Sequence, residues 1–157
     1  MQPAQDELAV RSLAAAYTDA VNRRDFEGMT AVFAPDGIIE KPGFGEPVQG
    51  IEKIAKRYRR LQSERDFLCQ MIHSGIVEVT GDRATARWWF SELKKPAGSD
   101  DWLYLIGVYQ DEAVRLDIGW RFARRMQTTI LDQKLSGESF AMSALPTFFP
   151  LSGVPTS

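Results

Sequence analysis

Apolar residues recur at two spacings along this chain, and the spacing changes once. From Asp6 to about Arg23, Val10, Leu13, Ala14, Tyr17 and Val21 recur at helical intervals and predict an amphipathic helix. Asp6 and Glu7 at its start and Arg23 and Arg24 at its end suit the helix dipole. A short second helix is expected from about Phe26 to Phe33, capped by Asp25 and stopped by Ala34-Pro35-Asp36-Gly37. Gly37 to Lys41 reads as a short strand and PGFGEPVQG as a loop. A third helix then opens at Gly50 or Ile51, with Ile51, Ile54, Tyr58 and Leu61 as its apolar stripe.

From Phe67 onward the period is two. FLCQMIHSGIVEVT and RATARWWFSELKK, joined at Gly81-Asp82, predict a long antiparallel hairpin. WLYLIGVYQDEAV and IGWRFARRMQTTIL, turning near Arg115–Asp117, complete a meander. Strict alternation puts Cys69, Met71, His73, Val77 and Val79 on one face. It likewise groups Ala84, Ala86, Trp88, Phe90 and Glu92, with Arg83, Thr85 and Arg87 opposite. Helices followed by four long antiparallel strands make an α+β plan. The expected form is a cone-shaped barrel, a strongly bent antiparallel sheet wrapped around the first helix and enclosing a pocket. Residues 1–131 would form this domain. Residues 132–157, with Pro146, Pro150 and Pro155 among Ser, Thr and Gly, would form an extended tail packing on it or on a partner subunit.

Composition narrows the function. A length of 157 residues fits one domain, and 44% apolar with 25% charged residues is a soluble profile. The net charge of −2 offers nucleic acid no basic stripe. Lys53, Lys56, Arg57, Arg59 and Arg60 are basic but read as a solvated helix face. No apolar run is long enough for a membrane span, and no signal peptide is evident, so a cytoplasmic location is expected. One cysteine, Cys69, and one histidine, His73, cannot build a zinc site, and no cofactor is expected.

A few side chains could carry chemistry. Tyr17 lies central in the first helix's apolar stripe, and a buried tyrosine hydroxyl needs a partner. His73, on the face that alternation reads as inward, is the natural general base near neutral pH. Glu92 ends an inward aromatic row, where it could orient His73 or act as an acid. Trp88, Phe90, Met71, Val21, Phe44 and Trp120 are candidate pocket residues, with core the plainer reading for the tryptophans. Arg124 or Arg125 could anchor an anion, although a solvated strand face is the simpler expectation.

Three stretches, AVRSLAAAYTDAVNRRDFEGMTAVFAPDGIIE, HSGIVEVTGDRATARWWFSE and GVYQDEAVRLDIGWRFARR, together resemble the SnoaL-like group of the nuclear transport factor 2-like superfamily. The resemblance implies the cone fold, a homodimer or trimer, and roles for Tyr17, His73 and Glu92 like those in its dehydratase- and isomerase-like members. It also implies an aspartate, paired with the histidine, where this chain has Asn22. An amide can orient an imidazole but cannot stabilise imidazolium by charge. The expected activity is a cofactor-free lyase, isomerase or cyclase acting on an apolar ring-containing carbonyl compound. The alternatives are a small-molecule binding protein without turnover and an interaction subunit.

Overall fold

A computed structural model describes residues 3–135. The elements are α1 (Pro3–Arg23), α2 (Phe26–Ala31), β1 (Phe33–Glu40), β2 (Val48–Gln49), α3 (Ile51–Ser63), β3 (Arg65–Thr80), β4 (Arg83–Pro96), β5 (Trp102–Leu116) and β6 (Gly119–Leu135). The strands form one six-stranded sheet in the order β2-β1-β6-β5-β4-β3. β3 to β6 are the expected antiparallel meander, with β3 and β4 joined at Gly81-Asp82.

Two expectations of the plan are corrected. The sheet is mixed, because β1 runs parallel to β6. It is also open, with β2 and β3 at its edges, so it is not a closed barrel. The chain leaves α2 earlier than proline and glycine placement suggests. Val32 is already the C-cap and Phe33 starts β1, leaving Pro35 in an irregular stretch of strand where register shifts between Phe33 and Ile38. The N-cap expectation for Asp25 is met, its carboxylate accepting from Gly28 N at 2.9 Å. The expected tail lies outside the described residues from 136 onward, and β6 continues through Leu135.

α1 lies on the concave face of the sheet. Its stripe of Val10, Leu13, Ala14, Tyr17, Ala20 and Val21 is buried against Ala84, Ala86, Trp88, Phe90, Tyr109 and Phe122. At its start Asp6 is fixed rather than solvated, accepting from Arg115 Nη1 at 2.7 Å and Trp120 Nε1 at 3.1 Å. Two glycines let large rings cross the sheet. A Cβ on Gly107 would stand 2.5 Å from Phe90 Cζ, and one on Gly75 would stand 2.1 Å from Trp88 Cε3. The bare backbone at Gly107 admits the Phe90 ring, which stacks on Tyr109 with centroids 4.1 Å apart.

The decisive local feature is a register shift in β3 between Ile72 and Gly75. An irregularity of this kind reverses which parity faces the core. Before it, Leu68, Gln70 and Ile72 point inward; after it, Gly75, Val77 and Val79 do. Unbroken alternation therefore misplaces Cys69, Met71 and His73, which lie on the outer face. No described helix is long and apolar enough to cross a membrane.

Candidate active site

Between α1, α3 and the concave sheet face lies a cavity of ≈ 330 Å³. That is at the low end for small-molecule pockets, which run from roughly 300 Å³ upward. Its inner wall carries Tyr17 from α1, Tyr58 from α3, Gln70 from β3, Glu92 from β4, Tyr109 from β5 and Arg125 from β6. Each side chain is buried, and each comes from a different element.

Period-two alternation places Glu92 and Tyr109 on the inner face, in register with Leu105 and Trp88 respectively. Gln70 reaches the same space because the β3 irregularity comes only after it. Its Nε2 donates to Glu92 Oε1 and to the Tyr109 hydroxyl, both at 2.8 Å. The Tyr17 ring packs against Tyr58 and Tyr109, with centroids 5.9 and 6.1 Å away. Burial pushes the Tyr17 phenol up, against the opposing pull of the Arg125 charge, and pushes Tyr58 and Tyr109 up further. All three therefore stay protonated at neutral pH and remain hydrogen-bond donors.

Behind them sits a buried ion pair. Asp111 accepts from Arg125 Nε at 2.8 Å and Nη2 at 2.6 Å, and from Trp88 Nε1 at 2.9 Å. The Arg125 guanidinium also lies 4.2–4.3 Å from the ring centroids of Tyr17, Tyr109 and Phe122. Burial alone would lower the Arg125 pKa, yet the Asp111 carboxylate holds it above the usual arginine value. The solvated-face expectation for Arg125 is thus corrected. Arg124 is part exposed and bridges Glu40 at 2.7 Å and Glu112 at 3.4 Å.

Of Tyr17, His73 and Glu92, the first and last line the cavity. His73 is exposed on the outer face, with Nε2 3.0 Å from Ser91 Oγ, and it is absent from the cavity wall. Asn22 does not orient it. Asn22 Nδ2 donates to Gln70 O and Asn22 Oδ1 accepts from Gln70 N, both at 2.7 Å. The amide therefore ties the end of α1 to β3 by pairing with backbone, at the residue whose side chain enters the cavity. Of the expected pocket residues, Val21 and Phe44 line the cavity. Trp88 and Phe90 are buried core, Trp120 is held at the Asp6 end, and Met71 lies on the outer face, 45% exposed.

Sequence reasoning missed Gln70, Tyr58, Tyr109, Asp111 and Lys41. Tyr58 was visible in the α3 stripe and Tyr109 in the β5 alternation; nothing in the chain flagged Gln70 ahead of the irregularity. Gln62 Oε1 and Gln70 Oε1 are buried without a hydrogen-bond partner among the described residues, and both residues line the cavity. Two amide acceptors in this state favour a ligand that brings donors. No group of three His, Cys, Asp or Glu side chains among the described residues could hold a metal ion.

Comparison with known proteins agrees with this architecture. Residues 2–126 match the model of a family described as the SnoaL-like domain. An uncharacterized protein of Mycobacterium tuberculosis (strain H37Rv) is 28% identical over 124 residues, 78% of this chain and 84% of the relative. Among solved structures, hexachlorocyclohexane dehydrochlorinase LinA-type3 from Novosphingobium barchaimii superposes with a TM-score of 0.80 at 17% identity, covering 87% of this chain and 94% of that one. A candidate scytalone dehydratase from Novosphingobium aromaticivorans gives a TM-score of 0.73 at 18% identity, with 83% and 88% covered. At these identities the structural likeness speaks for the fold alone.

Proposed function

We propose that this chain, which belongs to the SnoaL-like domain family, is a cofactor-free lyase or isomerase that removes a proton next to the carbonyl of a ring-containing compound. The observation that carries the reading is one buried carboxylate and three protonated phenols meeting on the inner wall of one cavity. Glu92 takes the proton, with Gln70 fixing its carboxylate through the 2.8 Å hydrogen bond. The electron pair of the broken C–H bond moves into the enolate, whose oxygen accepts from Tyr17 or Tyr58. From there the proton returns at another carbon, giving isomerisation, or a leaving group departs from the neighbouring carbon, giving elimination. Proteins of similar fold named as a dehydrochlorinase and a candidate dehydratase favour elimination. Developing oxyanion charge is where a fixed hydroxyl contributes most, and one such donor typically accounts for about 10²–10³ in rate.

His73 has no part in this mechanism. A second reading, a pocket that binds without turnover, is favoured by Asn22, which stands where the resemblance implies an aspartate and pairs with the Gln70 backbone rather than with His73. An amide does not transfer a proton. In either reading, the outer sheet face, with Trp89, Met71 and Leu131 exposed, supports self-association.

Deuterium exchange separates the readings without knowledge of the physiological substrate. 1-Indanone, 2-tetralone and related cyclic ketones are incubated in D2O, and loss of the proton signal beside the carbonyl is followed by NMR. Catalysed exchange is expected for at least one ketone, reduced about 10²-fold or more in Glu92→Gln and about 10²-fold in Tyr17→Phe. Binding of these ketones with no acceleration of exchange would reject the catalytic reading in favour of simple binding.

A further inference from the structure

The rim of the cavity is cationic in a chain that is acidic overall. Asp and Glu number 21 against 19 Lys and Arg. Yet Lys41 beyond β1, Arg57 and Arg60 on α3, Arg65 at the start of β3, and Lys94 on β4 all border the cavity. Three carboxylates border it too, and each is engaged. Glu40 accepts from Arg124 at 2.7 Å, Asp132 lies 3.5 Å from Lys94, and Glu92 is bonded to Gln70 on the inner wall. Arg57 and Arg65 make no ion pair among the described residues. Lys41 faces the Phe44 ring with its Nζ 4.1 Å from the centroid. Burial is the main cause that lowers the Lys41 pKa, and the Lys94 charge adds to it against the opposing pull of Glu92 and Asp132.

Like charges gathered at the mouth of a cavity raise the local concentration of an anion and fix its orientation on entry. We propose that Lys41, Arg57 and Lys94 hold a carboxylate or phosphate carried by the substrate, while its ring body lies against Tyr17, Tyr58 and Tyr109. The substrate class is therefore an anionic ring compound rather than a purely apolar one. This rests on reading the cavity as the place where substrate binds. The dimensions suit it, because ≈ 330 Å³ admits a small ring system with its charged group left at the opening.

The test is calorimetric binding of three probes with one ring body: 2-naphthoate, 2-naphthyl phosphate and 2-naphthamide. At about 20 mM salt, at least one anion should bind about tenfold tighter than the amide, and this advantage should shrink on raising salt to about 200 mM. In the double variant Lys41→Met, Arg57→Gln the advantage should fall below about twofold, with amide affinity unchanged. The wild-type salt titration stands alone if that variant fails to fold. Whichever anion is preferred identifies the group. An amide that binds as tightly as both anions, or a preference that survives the double variant, overturns the inference while the exchange reaction stands. Failure of all three probes to bind overturns it as well. Anion preference without exchange of any ketone upholds it and removes the catalytic reading instead.

Discussion

Arg125, buried on the inner wall of the cavity, and Lys41, half-buried at its rim, are both cations, but their surroundings differ. Arg125 is enclosed by three aromatic rings and donates two hydrogen bonds to a carboxylate that is itself fully buried. Its Nε and Nη2 are paired within the fold, while Nη1 is buried without a hydrogen-bond partner among the described residues. Lys41, Arg57 and Lys94 border the opening from different parts of the chain; Lys94 pairs with Asp132 at 3.5 Å, while Lys41 and Arg57 make no ion pair among the described residues. A cation's role follows from whether its partner is built into the chain. The ion pair shapes the wall, and the rim selects what meets it.

The largest effect is expected from breaking the inner pair. Asp111→Ala leaves a buried guanidinium without its partner and removes the acceptor for Trp88, so unfolding free energy should drop by about 3–5 kcal/mol in urea titration. Replacing both members, Asp111→Leu with Arg125→Met, should cost distinctly less, because no buried charge is stranded. Equal losses in the single and double variants would mean that packing, not charge pairing, governs this wall. Rim substitutions such as Arg57→Gln should change stability by no more than about 0.5 kcal/mol.

A smaller effect concerns the tyrosines between these two regions. Burial raises the pKa values of Tyr17, Tyr58 and Tyr109 above the ordinary phenol value in the folded chain. The folded state thus holds phenolic protons that the unfolded chain releases first. Stability from this source is fully present below about pH 10 and falls as pH rises further. Tyr58→Phe should make that alkaline fall shallower in urea midpoints taken at about pH 8 and about pH 11. An unchanged slope would remove Tyr58 from the set of buried, protonated phenols.

Much of this architecture was legible in the sequence. The α1 stripe, the Asp25 cap, the α3 stripe and the Gly81-Asp82 hairpin follow from local periodicity and turn chemistry, which act within a few residues. Tyr17 and Glu92 were correctly placed inward for the same reason. His73 was not, because a single irregularity between Ile72 and Gly75 exchanges the faces of β3, and alternation carries no sign of where it stops. The glycine at 75 is its one trace in the chain, needed because the Trp88 ring lies against that backbone. Asp111 escaped notice, and Arg125 was read as a solvated face, because pairing across β5 and β6 is a property of register. Neither residue looks exceptional in its own strand. The parallel β1–β6 contact has the same origin, since it joins segments far apart in the chain.

These corrections bear on the site as well as the fold, for they move the proposed base from the strand that was misread to the one beside it. Glu92 faces the cavity and His73 faces away from it, separated by one strand pairing. The most direct test of that assignment is the rate of deuterium exchange beside the carbonyl of an active cyclic ketone, measured for Glu92→Gln and His73→Ala in parallel. The account predicts exchange lowered about 10²-fold or more in Glu92→Gln and within about twofold of wild type in His73→Ala, with both variants folded. Loss of exchange in His73→Ala with activity retained in Glu92→Gln would contradict it.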